Sequence, residues 1–304
     1  MQPSLQSADL NVWWRMIRPH TLNASFIPVF SGTAMAIFDN GFRADMFLAM
    51  LLASLLIQAA TNMINEYFDY VRGLDNASSV GIGGTIVRDG IAPKLVRNLA
   101  FAFYGLAVLL GVYICAGSSW WVALAGTVSI LVSYFYSAGP LPISSTPFGE
   151  LFSGLFMGPV IILITYFIQT GSLSVPVVCV SLSLGLLIGA INLSNNIRDK
   201  DGDKAHGRKT LAVLLGRPKA IVLLAATFIA AFGWIALLAA TGYVTPWVLL
   251  VLLSVPKAVQ AVRGFIGKET PFEMMPAMKS TAQLNTFFGM LLSIGFIIGF
   301  FVAP

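Results

Sequence analysis

Met50-Leu51-Leu52-Ala53-Ser54-Leu55-Leu56-Ile57-Gln58-Ala59-Ala60-Thr61-Asn62-Met63-Ile64-Asn65-Glu66-Tyr67-Phe68-Asp69 is an apolar run that ends in a polar pattern. At about 100° per residue, Gln58, Asn62, Asn65 and Asp69 fall on one face of a helix. The same spacing returns more than 130 residues later as Asn192, Asn196, Asp199 and Asp203, again at the end of an apolar run. Amides and carboxylates are costly inside a membrane and mark buried or water-filled sites. Two such stripes placed face to face predict a cage for divalent cations and for an anion that those cations hold.

The rest of the chain sets this pattern in a membrane. Of 304 residues, 57% are hydrophobic and 10% are charged, against about 25% charged in a soluble domain. Mean hydropathy is +0.82. Repeated apolar runs of about 17 to 22 residues predict an all-α polytopic membrane protein. Nine spans are expected, near 22–38, 46–66, 95–115, 120–137, 149–169, 173–195, 219–240, 246–265 and 281–302. Residues 1–20 hold Trp13, Trp14, Arg15 and Arg18 but no apolar run of their own, so they read as an interfacial segment rather than a signal peptide. Cys115 and Cys179 sit inside apolar runs and read as packing residues. A single domain over 1–304 is the simplest organisation.

The net charge of +5 is a topology signal before it is anything else. With these spans, seventeen of the eighteen Lys and Arg residues fall on one side, and only Arg43 falls on the other. The positive-inside rule makes the basic side cytoplasmic. Both polar stripes end on that side, and a nucleic-acid partner is not expected. The long polar connections near 70–94 and 197–218 follow the second and sixth spans, which makes those spans equivalent members of a weak internal repeat.

Hard oxygen ligands of this kind suit Mg2+, which keeps some waters and shares its sphere with substrate phosphates. Few carboxylates among many cations favour a diphosphate bridged by metal over a metal held by protein alone. Gly73 is expected to end the second span and let Asp75 fold back towards the site. The alternative is that these acids pair with the adjacent arginines. Arg72, Arg88, Lys94, Arg208 and Lys209 are candidate diphosphate contacts, or else topology determinants. The loop Ser79-Val80-Gly81-Ile82-Gly83-Gly84 could offer backbone N–H groups to phosphate or could be a plain turn. Glu150 opens the fifth span, where an acid favours a helix N-terminus. His20 and His206 read as interfacial hydrogen-bonders, and with two histidines and no nearby cysteine a zinc site is not expected.

The strings Asn65-Glu66-Tyr67-Phe68-Asp69-Tyr70-Val71-Arg72-Gly73-Leu74-Asp75 and Asn195-Asn196-Ile197-Arg198-Asp199-Lys200-Asp201-Gly202-Asp203 resemble the two aspartate-rich motifs of the UbiA superfamily of intramembrane prenyltransferases. Arg18-Pro19-His20-Thr21-Leu22, Val80-Gly81-Ile82-Gly83-Gly84, Gly139-Pro140-Leu141-Pro142 with Gly149-Glu150-Leu151, and Gly207-Arg208-Lys209-Thr210-Leu211 add to the resemblance. It runs from about residue 12 to 302 and is similar in detail to the branch that prenylates 1,4-dihydroxy-2-naphthoate in menaquinone synthesis. Glu66 stands where many members have Asp. The last acid of the first motif is Asp75, six residues after Asp69, rather than the residue four after it as in the 4-hydroxybenzoate branch.

The resemblance implies nine helices around a central cavity open to lipid, in a bacterial plasma membrane, with the active site facing the cytoplasm. It implies Mg2+ held by Asn65, Asp69, Asp199 and Asp203, with Asp75 as a further ligand, together with a polyprenyl diphosphate. Arg72, Arg88, Arg208 and Lys209 are then expected on the diphosphate, and Arg18, Asn62 and Asn196 on the aromatic acceptor. The implied product is demethylmenaquinol, formed with loss of diphosphate and CO2. Competing readings are another acceptor such as 4-hydroxybenzoate, a cation-coupled transporter and a metal-dependent lipid phosphatase. The nearly uncharged outer loops leave a transporter no matching outward gate.

The charge asymmetry makes a direct prediction. In a cysteine-free background, His206→Cys should be protected from impermeant thiol reagents in intact cells and Gly242→Cys should be labelled. The reverse pattern would place the stripes on the outer face.

Overall fold

A computed structural model describes residues 10–75 and 84–302, with the side chain of His20 excepted. Its described residues form helices and connections with no strand. The first nine residues and the loop stretch 79–83 lie outside the described residues.

The chain opens with α1 (Leu10–Ile17), an amphipathic helix that buries Val12 and Met16 and leaves Leu10 and Trp14 exposed. Apolar helices α2 (Asn23–Phe38) and α3 (Ala44–Val71) follow, then the single turn α4 (Thr85–Arg88), α5 (Pro93–Gly117) and α6 (Trp121–Ser137). The fifth expected span is α7 (Gly149–Leu155) and α8 (Ile161–Thr170), joined by a π-helical turn over Phe156–Val160. Pro159 lies in that turn, where its missing N–H and its ring break the regular ladder. The sixth is α9 (Val175–Ala205), followed by the short α10 (Leu211–Leu215) and the long α11 (Arg217–Ala240). The eighth begins as a 3-10 stretch over Pro246–Ser254 and continues as α12 (Val255–Phe265), and α13 (Pro271–Val302) is the ninth.

Seven of the nine expected spans are long and apolar enough to cross a membrane. The other two are α2 and α6, of 16 and 17 residues. At 1.5 Å per residue such helices reach only about 24–26 Å, short of a hydrocarbon core of about 30 Å. Two helices overrun the expected spans. α9 continues to Ala205 rather than stopping near 195, and α13 starts at Pro271 rather than near 281. Hydropathy drops where polar residues begin, but the backbone ladder needs no apolar side chain to continue. The whole second polar stripe therefore stays on one rigid helix.

α9 is the central element, packed against α7, α11 and α13, while α2 joins α13 to α8 and α3 packs on α5. Between apolar helices in lipid, close backbone approach replaces the hydrophobic drive. Gly154-x-x-x-Gly158 on the α7 side meets Gly185-x-x-x-Gly189 on α9. A Cβ on Gly154 would stand 2.6 Å from the Gly185 carbonyl oxygen, and one on Gly158 would stand 2.5 Å from the Gly185 Cα. A Cβ on Gly189 would stand 2.9 Å from the Glu150 carbonyl oxygen. This contact sets α7, and with it Glu150, against the polar half of α9.

The bundle encloses a cavity of about 1500 Å³. Met50, Ile57, Val112, Ile130, Phe156 and Ile164 are among its apolar lining, and the two stripes form its polar end. α6 packs on α3 and α5, and α7–α8 on α9 and α2, so these two walls face each other across the cavity.

The glycine contact predicts a clear stability split. Gly158→Val and Gly185→Val should each cost about 1–3 kcal/mol through overpacking, read as a lower Tm of the detergent-purified protein. Gly105→Ala and Gly233→Ala, which meet open space, should leave Tm unchanged or slightly raised. Equal losses in all four would mean that the interface does not depend on bare backbone.

Candidate active site

The two stripes converge. Gln58, Asn62, Asn65 and Asp69 of α3 and Asn192, Asn196, Asp199 and Asp203 of α9 all line the one cavity. Arg208, just past the end of α9, ties them together: it donates through Nη1 to Asp203 Oδ1 at 3.0 Å and through Nη2 to Asp69 Oδ1 at 3.4 Å. Burial alone would lower the pKa of Arg208, but the Asp69 and Asp203 carboxylates outweigh it and the pKa is raised. Removing one partner of such a triad leaves a buried charge uncompensated, typically a loss of about 3–5 kcal/mol.

Around this bridge the remaining acids are arranged unequally. Asp199 takes two 2.6 Å hydrogen bonds from Arg198, which is itself buried and reaches Met275 of α13. Gly73, at φ 71°, ends α3, and the N–H groups of Leu74 and Asp75 fold back onto the Asp69 carbonyl at 2.9 and 3.2 Å. Asp75 thereby joins the cavity lining, as expected. Burial holds its carboxyl above the usual range; the Glu66 and Asp199 charges add to this, while Arg18 and Arg88 oppose it. Asp199 and Asp203 thus pair with arginines close in sequence, as the alternative expected, whereas Asp69 pairs across the cavity with Arg208 and not with its neighbour Arg72.

Whether these residues suit a divalent cation can be judged from the donor set. Among the described residues, no three acidic or His/Cys side chains already close on one point. The residues do, however, carry surplus acceptors: Asp203 Oδ2 is buried with no hydrogen-bond partner, and one arginine serves both Asp69 and Asp203. Mg2+ commonly takes one or two carboxylates plus waters and phosphate oxygens, so a preformed cage is not required. The donor chemistry fits.

The four expected diphosphate cations separate. Only Arg208 lines the cavity. Arg72 is committed elsewhere: it donates to the carbonyls of Ser137 and Gly139 at 2.7 and 2.9 Å, closing the end of α6, and stacks over Phe68. Arg88 and Lys209 are exposed and outside the cavity lining, although the charge of Arg88 is felt at Asp75.

Just before α2, Arg18 lines the cavity in a left-handed conformation, φ 55° and ψ 67°. Non-glycine residues held there cost about 1–3 kcal/mol and cluster at functional sites. Its Nη1 donates to Asn65 Oδ1 at 3.0 Å, and its buried Nε has no partner. Asn62 spends its amide N–H groups on the Ile17 carbonyl at 2.8 Å and the Thr21 hydroxyl at 2.9 Å. It thus holds the segment that carries Arg18. Asn196 donates to Glu150 Oε1 at 2.8 Å, and Asn192 to the Tyr136 hydroxyl at 2.6 Å.

Sequence reasoning passed over Glu150 and Tyr136 as participants. Glu150 does open a helix, but it is 8% exposed and faces Asn196. A buried acid in the first turn of an apolar span was the available signal; Tyr136 gave none. Glu66 is fully buried, and its Oε1 accepts from the Thr85 hydroxyl at 2.6 Å and the Ile86 N–H at 2.9 Å. Its extra methylene relative to Asp is used to cap α4 rather than to face the cavity.

Comparison with known proteins agrees with this architecture. The sequence profile of the UbiA prenyltransferase family matches residues 25–270. The chain is 57% identical over 290 residues to the 1,4-dihydroxy-2-naphthoate octaprenyltransferase of Bacillus subtilis, covering 95% of this chain and 93% of that protein. It is 28% identical to the protein of the same name from Haemophilus influenzae, over 95% of this chain and 97% of the other. A UbiA homolog from Archaeoglobus fulgidus, solved with GPP and Mg2+, superposes with a TM-score of 0.65 over 93% of this chain and 99% of its own; at 17% identity this shows a shared fold. On the family match and the Bacillus subtilis identity, the chain belongs to the UbiA prenyltransferase family.

Proposed function

We propose that this chain transfers a polyprenyl group from polyprenyl diphosphate to 1,4-dihydroxy-2-naphthoate, releasing diphosphate and CO2 and giving demethylmenaquinol. The site would face the cytoplasm of a bacterial plasma membrane, with nine spans crossing it, the short α2 and α6 accommodated by local thinning of the bilayer, and residues 1–304 acting as one domain. The observation that carries the reading is the joining of the two stripes by Arg208 at the polar end of a large, otherwise apolar cavity. An anionic headgroup and a long isoprenoid tail need that combination. The choice of acceptor is supported by the 57% identity to the Bacillus subtilis protein.

In this reading Asn65, Asp69, Asp199 and Asp203, with Asp75, hold Mg2+ and the diphosphate between the stripes. Bound Mg2+ supplies charge stabilisation to the departing diphosphate. Arg208 adds a guanidinium at the same end, where charge develops as the C1–O bond breaks. Arg72 supports the site by closing α6, and Arg88 and Lys209 contribute charge from outside the cavity. The apolar walls hold the prenyl chain and keep water from the allylic carbon. Arg18 pairs with the acceptor carboxylate, held in place by Asn62 and Asn65, while Asn196 meets the ring from α9. Ring electrons form the new C–C bond to C1, and loss of CO2 returns an electron pair that restores aromaticity.

Asp69→Ala and Asp199→Ala should each lower turnover more than about a hundredfold, while the protein still inserts and purifies. EDTA should stop the wild type and added Mg2+ should restore it. Near-normal rates in both variants would sink the metal site. Arg18→Gln should raise KM for 1,4-dihydroxy-2-naphthoate about ten- to a hundredfold, the equivalent of a charge-assisted contact of about 1.5–3 kcal/mol. KM for prenyl diphosphate should stay nearly constant. A rise in the latter instead would move Arg18 to the diphosphate, and faster prenylation of 4-hydroxybenzoate would overturn the acceptor.

A further inference from the structure

On α9 the stripe changes from carboxylates to amides seven residues further into the cavity than the Arg208 bridge, about 10 Å along the helix, and on α3 every stripe residue inward of Asp69 is an amide. Asn196 Nδ2 donates to Glu150 Oε1 at 2.8 Å. With an N–H spent on that carboxyl oxygen, the amide turns its carbonyl oxygen away from Glu150. Asn192 Nδ2 donates to the Tyr136 hydroxyl at 2.6 Å, and both atoms pack against Gly149, where a Cβ would stand 3.3 Å from Nδ2 and 3.4 Å from the hydroxyl. Across the cavity, Gln58 Nε2 donates to Asn62 Oδ1 at 3.2 Å. All three amides thus have an N–H group tied to the protein wall. Asn192 Oδ1, Asn196 Oδ1 and Gln58 Oε1 accept no hydrogen bond from the described residues, and all three side chains line the cavity.

Resting on the reading of the acceptor as a dihydroxynaphthoate, we infer that Asn192 and Asn196, with Gln58 opposite, form a hydrogen-bond-accepting tier that selects an acceptor by its phenolic O–H donors, with Glu150 and Tyr136 as positioning residues. Arg18 lies on the α3 side at the level of Asn65. A ring anchored there by its carboxylate directs its far hydroxyl, the one across the ring from the hydroxyl next to the carboxylate, towards the α9 amides. Neutral acceptors suit this task. They take a hydrogen bond from a phenol without adding charge beside a developing allylic cation, and a ligand that lacks the donor leaves a buried carbonyl unpaired.

The test reads binding rather than turnover, because removing a hydroxyl also makes the ring less reactive. The ligands are 1,4-dihydroxy-2-naphthoate, 1-hydroxy-2-naphthoate and the 4-methyl ether of the diol, titrated against the purified full chain with Mg2+ and a non-reactive prenyl diphosphate analogue. The wild type should bind the diol at least tenfold more tightly than either analogue. Asn192→Leu and Asn196→Leu should reduce that preference to less than threefold while the affinities for the two analogues and for the prenyl analogue hold. Glu150→Gln keeps an acceptor for the Asn196 amide and should retain the preference, whereas Glu150→Ala should lose it. Equal binding of the three ligands by the wild type overturns the assignment and needs no variant to fold. So does a full preference in both Leu variants. Prenylation of the naphthoate with equal binding of the three ligands removes only the amide tier. Prenylation of a different aromatic acid and of no naphthoate removes the proposed function and this assignment together.

Discussion

Everything at the polar end of this molecule depends on holding two carboxylate-bearing helices face to face across a cavity inside an apolar bundle. Asp69 and Asp203 are nearly buried, and two like charges in such surroundings repel strongly. Arg208 is the group that makes their approach possible, and its raised pKa expresses how firmly the two acids hold its proton. One guanidinium shared by two carboxylates leaves a negative surplus, visible in the unpartnered Oδ2 of Asp203. A fold that retains such a surplus is suited to a cationic partner, which is why the metal–diphosphate reading and the Arg208 bridge belong to one electrostatic argument.

The scaffold achieves this placement with small residues rather than large ones. The Gly154 and Gly158 backbone sits against Gly185 and Gly189 so closely that any side chain would collide. That closeness carries Glu150 to Asn196. On the other helix, the stripe is fixed from behind: Asn62 holds the segment bearing Arg18, and Glu66 caps α4 beyond the end of the motif. Glycines and a buried acid outside the cavity lining, with Asn62 inside it, thus decide where the cavity's other groups point.

Arg18 unites the two ends of this arrangement. Its left-handed backbone, an unfavourable state for a side chain of that size, is stabilised by the surrounding hydrogen bonds of Thr21, Asn62 and Asn65. The guanidinium therefore enters the cavity at the level of Asn65, rather than at the interface where an arginine near a span's start is usually found.

The apolar helices and the two stripes were legible in the chain alone, because hydropathy and the helical period are local properties. The spacing of Gln58, Asn62, Asn65 and Asp69 is enough to put them on one face, and Gly73 is enough to turn the chain back so that Asp75 rejoins it. Helix ends were less legible: α9 and α13 run about ten residues past their apolar stretches, since backbone hydrogen bonding does not stop where hydropathy falls. Helix packing, by contrast, selects the cations that reach the cavity. Arg72 and Arg208 look alike beside their motifs, yet one closes α6 and the other bridges the stripes. It also makes Glu150 and Tyr136 the partners of the α9 amides, and Glu66 a cap. A side chain's partner across a bundle is set by how helices far apart in the chain pack, and no local pattern encodes that.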